Sequence, residues 1–189
     1  MKSFLKIVIG LAVLAAFLLA GHQIIQKHKQ QVAANSVETF DIPTQVVAIH
    51  ANAIEGMLEL TPPDQLGMML INENFPPERP TLNLLPRANT VGTAISTIGQ
   101  HKVSTTLYRM DVDENRRFSI FLVPVNKSFD PSTMGTMRAL NRELRVANMN
   151  GFNVVLWKKN NWFTVLVTDL AGRELTPLVQ LVLDAEAKL

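Results

Sequence analysis

The sequence predicts an α+β protein in which an N-terminal transmembrane helix precedes a single domain with an antiparallel sheet of about five strands and helices on one face. Three observations lead to this fold class. An uncharged stretch of twenty residues lies close to the N-terminus. Apolar and polar residues alternate in several segments between residues 90 and 170, which is the period of half-buried strands. Helical spacing of apolar residues flanks these strands on both sides, as in an α+β domain.

Composition limits the classes of protein to which this chain can belong. The 189 residues are 47% hydrophobic and 18% charged, a globular composition that predicts one folded domain. Eighteen basic and sixteen acidic residues give a net charge of only +2, and no basic run is interleaved with aromatic residues, so nucleic acid is not expected as a partner. The chain has no cysteine, which excludes disulfides, thiolate nucleophiles and cysteine-based zinc sites.

The N-terminal segment is typical of a membrane anchor. Residues 7–26, IVIGLAVLAAFLLAGHQIIQ, carry no formal charge and as a helix would span about 30 Å, enough to cross a bilayer. A cleavable signal peptide is the alternative, since the strictly apolar part ends near Ala20. Leu18 stands where a cleavage site needs a small residue, so we expect residues 1–26 to form an uncleaved signal anchor. Two lysines before the span favour a cytoplasmic N-terminus, with the bulk of the chain outside.

A polar tether over residues 27–43 precedes the domain, which we expect to occupy residues 44–189. Its first element is an amphipathic helix over residues 44–60, TQVVAIHANAIEGMLEL, which two prolines end. A second short helix is predicted over residues 63–75. The prolines that follow it predict an extended crossing to the sheet.

Three consecutive antiparallel strands are predicted around residues 90–98, 103–110 and 118–125. After them, the segment DPSTMGTMRALNRELRVANMNG, residues 130–151, predicts a helix. Asp130 can act as its N-cap before a proline, and apolar residues recur at helical intervals.

The segment GFNVVLWKKNNWFTVLVTDL, residues 151–170, predicts a hairpin that turns at residues 158–161 and carries both tryptophans of the chain. Trp157 and Trp162 either pack in the core or include one partner anchor, since tryptophan is common among interface hot spots. An amphipathic helix closes the chain, with apolar residues at Leu175, Leu178, Val179, Val182 and Leu183.

No segment combines the residues that an active site needs, so we do not expect an enzyme, a cofactor or a metal. The stretch DVDEN at residues 111–115 begins like a calcium loop, but Arg116 stands where the loop needs glycine and Leu122 where it needs a bidentate glutamate. A charged hairpin turn is the better interpretation. The four histidines are not at metal-binding spacing, and His50 is interpreted as a solvated or hydrogen-bonded imidazole on its helix.

The second half of the chain resembles a known family. The run GFNVVLW at residues 151–157 is followed by a hydrophobic strand at residues 163–167 and by Thr-Asp-Leu before the last helix. Upstream, residues 105–109 form a hydrophobic strand that ends in Tyr-Arg. This order resembles the C-terminal extracytoplasmic domain of bacterial transmembrane anti-sigma factors over about residues 45–185. The resemblance implies a location in the bacterial inner membrane, with the N-terminus in the cytoplasm and the domain in the periplasm.

Two departures limit what this resemblance implies. Only residues 1–6 precede the membrane segment, which leaves no sigma-binding domain, so direct sigma factor binding is not expected. The segment 126–150 is longer than the connection that the family has at this place. It holds methionines and arginines, which are common in interfaces, and these form the candidate partner contact: Met134, Met137, Arg138, Arg142 and Arg145. An ordinary surface helix is the alternative interpretation.

The function expected from these features is that of a non-enzymatic, membrane-anchored periplasmic interaction or regulatory module, resembling the sensory domain of anti-sigma factors. Its partner would be another membrane or envelope protein, and residues 7–26 would contact the lipid bilayer. The alternative is an accessory single-pass subunit of a larger inner-membrane complex. An enzyme acting on envelope material is a third hypothesis, because a fold without a recognised motif can still carry a site.

Overall fold

The computed structural model describes residues 41–65, 69–70, 75, 85, 87–125, 129–170 and 172–188. Helix α1 opens this part of the chain, helix α2 closes it, and strands β1 to β7 lie between them. The bounds are Ile42–Ile54 for α1, Ala88–Ile98 for β1, His101–Met110 for β2, Arg117–Pro124 for β3, Gly135–Ala139 for β4, Arg142–Met149 for β5, Phe152–Lys159 for β6, Trp162–Thr168 for β7 and Leu175–Glu186 for α2. A 3-10 turn, Pro131–Thr133, lies between β3 and β4.

The strands form one antiparallel sheet in the order β1-β2-β3-β7-β6-β5-β4. Strands β1 to β3 make one meander and β4 to β7 make a second. The last strands of the two meanders pair with each other, from Phe118 opposite Thr168 to Pro124 opposite Trp162. The prediction of about five strands is therefore wrong, because the described sheet has seven.

The two additional strands come from residues 130–151, where the sequence predicts a helix. Asp130 does cap a helical turn, since its carboxylate accepts a hydrogen bond from the Ser132 N–H at 2.9 Å, but this turn is only three residues long. Strands β4 and β5 then form a hairpin in which Met137 lies opposite Leu144. The apolar residues fit a helical spacing as well, and the pairing of β5 with β6 selects the strand, because tertiary contacts override local propensity.

The two helices cover opposite faces of the sheet, so the prediction of helices on one face is also wrong. Along β3, Phe118, Ile120 and Leu122 pack in a core that includes the apolar residues of α2. Phe121 and Val123 pack on the other side, in a core that includes α1. Successive side chains of a strand point to opposite faces, so β3 is buried on both. The result is a layer of sheet between two helices.

Both tryptophans pack against buried groups. The indole N–H of Trp157 donates a hydrogen bond to Glu186 Oε2 at 2.9 Å, and the hydroxyl of Thr164 donates to Glu186 Oε1 at 3.0 Å. All three side chains are buried, so Trp157 belongs to the core beneath the end of α2. Trp162 is half-buried, and its ring lies 5.3 Å from that of Phe75, centroid to centroid.

Several predicted elements are confirmed. The three strands of the first meander, the tryptophan hairpin and the closing helix all form close to the predicted residues. The first helix is confirmed over a shorter range, because it begins within the predicted tether, after the N-cap Asp41, and ends at Ile54. The short helix predicted over residues 63–75 and the proline-containing crossing fall largely outside the described residues.

The predicted transmembrane helix, signal anchor and inner-membrane location are contradicted in the part of the chain that the structure describes. None of its helices is long and apolar enough to cross a membrane. A span needs about 20 apolar residues, whereas α1 is only 13 residues long and α2 only 12, polar residues included. Residues 7–26, from which those predictions come, lie outside the described residues, as does the tether up to residue 40.

The β4–β5 turn contains a residue that does not suit its backbone conformation. Leu140 and Asn141 form a two-residue turn with φ angles of +48° and +61°. The β5–β6 turn is also two residues long, but there Asn150 and Gly151 adopt positive φ. Turns of this kind favour Asn-Gly, because a larger L-residue is strained at positive φ.

Replacing Leu140 by Asn should raise the free energy of unfolding by about 1 kcal/mol, because asparagine adopts this conformation at lower cost. Urea denaturation followed by circular dichroism measures the change. The reciprocal substitution Asn150→Leu, at the equivalent position of the β5–β6 turn, should lower stability by a similar amount. Equal stability of the parent and both variants would contradict the interpretation that Leu140 is strained.

Candidate functional site

An open groove lies at one end of the sheet, where the β2–β3 turn meets the start of α2. The strand registers place this turn and the C-terminal end of β7 at the same end, because β3 pairs with both β2 and β7. Arg87, just before β1, completes the rim from the other side. The groove has a volume of about 640 Å³, within the range of about 300–1,000 Å³ that is usual for ligand sites.

The floor of the groove is apolar. It is formed by apolar side chains from the end of β2, the β2–β3 turn, the β7–α2 connection and the first turns of α2: Met110, Val112, Leu170, Pro177, Leu178 and Leu181. Leu178 is part of the core on the α2 side, so the groove floor is continuous with the packed interior. Val112 is 75% exposed and projects from the turn. This surface can accept an apolar group without rearrangement of the core.

An ion-pair network crosses one side of the rim. Arg116 Nη1 donates to Glu174 Oε2 at 2.6 Å, and Arg116 Nε donates to Asp113 Oδ2 at 3.1 Å. The hydrogen bond and charge of Glu174, followed by Asp113, raise the pKa of the Arg116 guanidinium. Glu174 occupies the N-cap position of α2, where a negative charge is favourable. The network therefore ties the β2–β3 turn to the start of α2.

Two further arginines on the rim have no ion-pair partner in the part of the chain that the structure describes. Arg87 and Arg173 are exposed, and neither side chain forms an ion pair with another residue of the described ranges. Arg87 also adopts a φ angle of +75°, unusual for a residue with a side chain, and its carbonyl accepts a hydrogen bond from the Asp111 N–H at 2.9 Å. Three arginines and two acids line the groove, a net charge of +1. An apolar body that carries an anionic group matches this combination.

Four of the five residues of the sequence-predicted contact lie in the β4–β5 hairpin and Met134 comes directly before it, but the five lie on two faces of the sheet. Met134 is 7% exposed and packs in the core with α1, whereas Met137 packs against the core with α2. The register places Arg138 and Arg145 on the α1 face and Arg142 on the α2 face. Arg145 Nη2 lies 3.6 Å from Glu143 Oε1. The β4–β5 turn is at the end of the sheet opposite the groove, and the role of these residues as a contact stays a prediction.

His50 does not lie on the solvated side of its helix. It is fully buried between α1 and the sheet, where Nδ1 is 2.7 Å from Ser119 Oγ and the ring stands edge-on to Phe152 at 5.1 Å. Nε2 makes no hydrogen bond within the described part of the chain. Burial lowers the pKa of His50 to about 4. The imidazole is therefore neutral near pH 7 and ties α1 to β3.

Comparison with known protein families finds no model that matches the chain, and no curated protein matches it. The resemblance to anti-sigma factor domains therefore stays a prediction. The residues of the groove come from segments far apart in the sequence.

The buried His50 should make stability depend on pH. The pKa is 6.5 for the free side chain and about 4 in the fold, so between these values the unfolded chain binds more protons. Stability should be full above pH 6.5 and fall as the pH is lowered towards 4, with a total loss from this group of about 3 kcal/mol. Urea denaturation across this pH range measures the loss, which His50→Gln should abolish.

The control is Ser119→Ala, which removes the hydrogen-bond partner and keeps the buried imidazole. This variant should be less stable at every pH but should retain the pH-dependent step, because burial is what lowers the pKa. If His50→Gln keeps the same step as the parent, then other groups cause the pH dependence and the interpretation fails.

Proposed function

We propose that this domain is a non-enzymatic interaction module that holds an acidic, apolar segment of a partner protein in the groove between the β2–β3 turn and α2. The observation that carries this proposal is the pairing of an apolar floor with two arginines, Arg87 and Arg173, that lack partners among the described residues. Ligand sites commonly combine an apolar surface with a few polar groups that fix orientation.

The charges of the rim favour an anionic partner. Arg116 is already paired with Asp113 and Glu174, and these three residues together carry a net charge of −1. Arg87 and Arg173 add two positive charges, so the rim as a whole carries +1. Arg87 and Arg173 form no ion pair with any described residue, and arginine binds a carboxylate through two parallel hydrogen bonds. A partner with acidic residues beside leucine-like side chains would satisfy both arginines and cover the floor.

The backbone of Arg87 supports the same proposal. Residues in strained conformations persist where the surrounding structure fixes them, and they are frequent at binding sites. In this chain most positive-φ positions of the described residues hold glycine or asparagine, and Arg87 and Leu140 are the departures. A glycine or asparagine at position 87 would adopt this backbone conformation at lower cost. The arginine side chain is therefore consistent with a role in binding rather than in folding.

The regulatory part of the proposed function comes from the resemblance to anti-sigma factor domains. A domain of that kind acts through contacts with another protein, and the groove offers such a contact a defined place. The partner segment would lie along the first turns of α2, next to Pro177 and Leu181.

A labelled peptide of alternating leucine and aspartate should bind the full-length protein, and Arg87→Asn or Arg173→Gln should each weaken binding about tenfold, the effect of losing a charged hydrogen bond. Fluorescence anisotropy measures the affinity. Arg87→Asn should leave stability unchanged or slightly higher, because asparagine tolerates positive φ. Loss of affinity without loss of stability separates a binding role from a structural one.

The matched control is Arg142→Gln, which removes an exposed arginine at the opposite end of the sheet. It should bind the peptide as the parent does. A peptide of alternating leucine and lysine should bind more weakly than the aspartate peptide, and equal binding of the two would contradict the proposed function. Weakening by Arg142→Gln alone would move the contact from the groove to the β4–β5 hairpin.

A further inference from the structure

Strand β1 lies at the edge of the described sheet, and none of the described residues pairs with five residues of its outer side. In the β1–β2 hairpin, Ile98 and His101 flank a two-residue turn and so exchange hydrogen bonds with each other. Counting back along β1, the residues that direct their N–H and C=O groups away from β2 are Thr97, Ile95 and Thr93. Among the described residues, only Thr61 bonds this outer edge, through two backbone hydrogen bonds with Thr93 of 2.7 and 2.9 Å. Residues 94–98 therefore have no partner strand on this side within the described ranges.

Thr61 limits the open stretch because the chain passes around the sheet edge at this point. Before it, α1 packs on one face of the sheet, and after it, Leu70 and Phe75 pack on the other. Leu60 is fixed against Gly92, where an added Cβ would stand 2.8 Å from the Leu60 Cβ. The crossing therefore occupies the edge beside Gly92 and Thr93. At the other end, the open stretch stops at the turn that begins with Gly99.

Residues 94–98 of β1 lack the features that protect sheet edges, since the register shift of this strand lies earlier, between Thr90 and Gly92, and the crossing at Thr61 covers only the edge beside Thr93. Natural edge strands are blunted by charged residues, prolines or shortness. The eleven residues of β1, ANTVGTAISTI, contain neither charge nor proline. The opposite edge strand, β4, has only five residues and carries an exposed arginine, Arg138. The two edges of the sheet thus differ, and only the β1 edge offers an uncharged surface for strand pairing.

We propose that two copies of the chain pair through this edge, with residues 94–98 of each copy antiparallel about a two-fold axis at Ser96. In this register Ile95 lies opposite Thr97 of the second copy, and each of the two such pairs exchanges two backbone hydrogen bonds. Ala94 lies opposite Ile98, so the pairing ends before Thr61 on one side and at the Gly99 turn on the other. No charged residues face each other.

The contact is small, so the dimer should exchange rapidly with the monomer. Five paired residues bury less than the roughly 1,200 Å² of stable interfaces, and an edge contact of this size gives a weak complex. Self-association should therefore depend on concentration. The proposal is independent of the groove, which lies at the other end of β1.

Sedimentation velocity of the full-length protein over a concentration series tests the pairing. The parent should shift from monomer to dimer, and Thr97→Pro should remain monomeric, because proline removes an outward N–H that bonds only to the second copy. The matched control is Thr136→Pro, which makes the same change at an exposed, outward-directed position of β4. This variant should dimerise as the parent does.

Amide hydrogen exchange of the parent protein provides a second test that needs no variant. The outward N–H groups of Ile95 and Thr97 should exchange more slowly as the protein concentration rises, whereas the inward N–H of Ser96 should not change. A protein that stays monomeric, or one whose dimer survives Thr97→Pro with Ile95 exchange unaffected by concentration, overturns the proposal.

Discussion

The pairing of β3 with β7 is the constraint on which the rest of the fold depends. These strands join the two meanders, and both are buried on both faces of the sheet. Their register decides which side chains meet which helix. A slip of one residue would exchange the faces, turning Phe121 towards α2 and Ile120 towards α1. The same pairing brings the β2–β3 turn next to the end of β7, so the groove exists because this register is fixed.

The sequence predicts the strands of the first meander and the tryptophan hairpin because their apolar residues are dense and their turns carry polar residues. It mispredicts β4 and β5 because the apolar residues of this segment, Met134 to Ala147, satisfy a helical spacing as well as a strand. The pairing with β6, which decides between them, is not a local signal. The sequence also cannot place α1 and α2 on opposite faces, since β3 and β7 carry apolar residues on both faces and either face could pack against a helix.

Sequence patterns do not predict the groove either, because the residues that form it are not local in the sequence. Its rim combines Arg87, the β2–β3 turn and the β7–α2 connection, and no motif links these segments. The acidic turn at residues 111–115 is visible in the sequence, but as an imperfect calcium loop. Arg116, which stands where that loop would need glycine, instead bonds Glu174, 58 positions further along the chain. The two methionines of the predicted contact also pack against the cores, Met134 buried on the α1 side and Met137 half-buried on the α2 side, and their role as a contact stays a prediction.

Buried polar contacts explain how the helices keep fixed positions on two apolar faces. Apolar packing alone tolerates sliding, whereas a buried polar group has to find its partner, so such contacts specify a single arrangement. His50 bonds Ser119 beneath α1, and Glu186 bonds Trp157 and Thr164 beneath the end of α2. At its start, α2 has a further polar contact, the solvent-exposed ion pair of Glu174 with Arg116. Because α2 makes polar contacts at both ends, the groove wall that it supplies is formed before any partner arrives, and binding there needs little reorganisation.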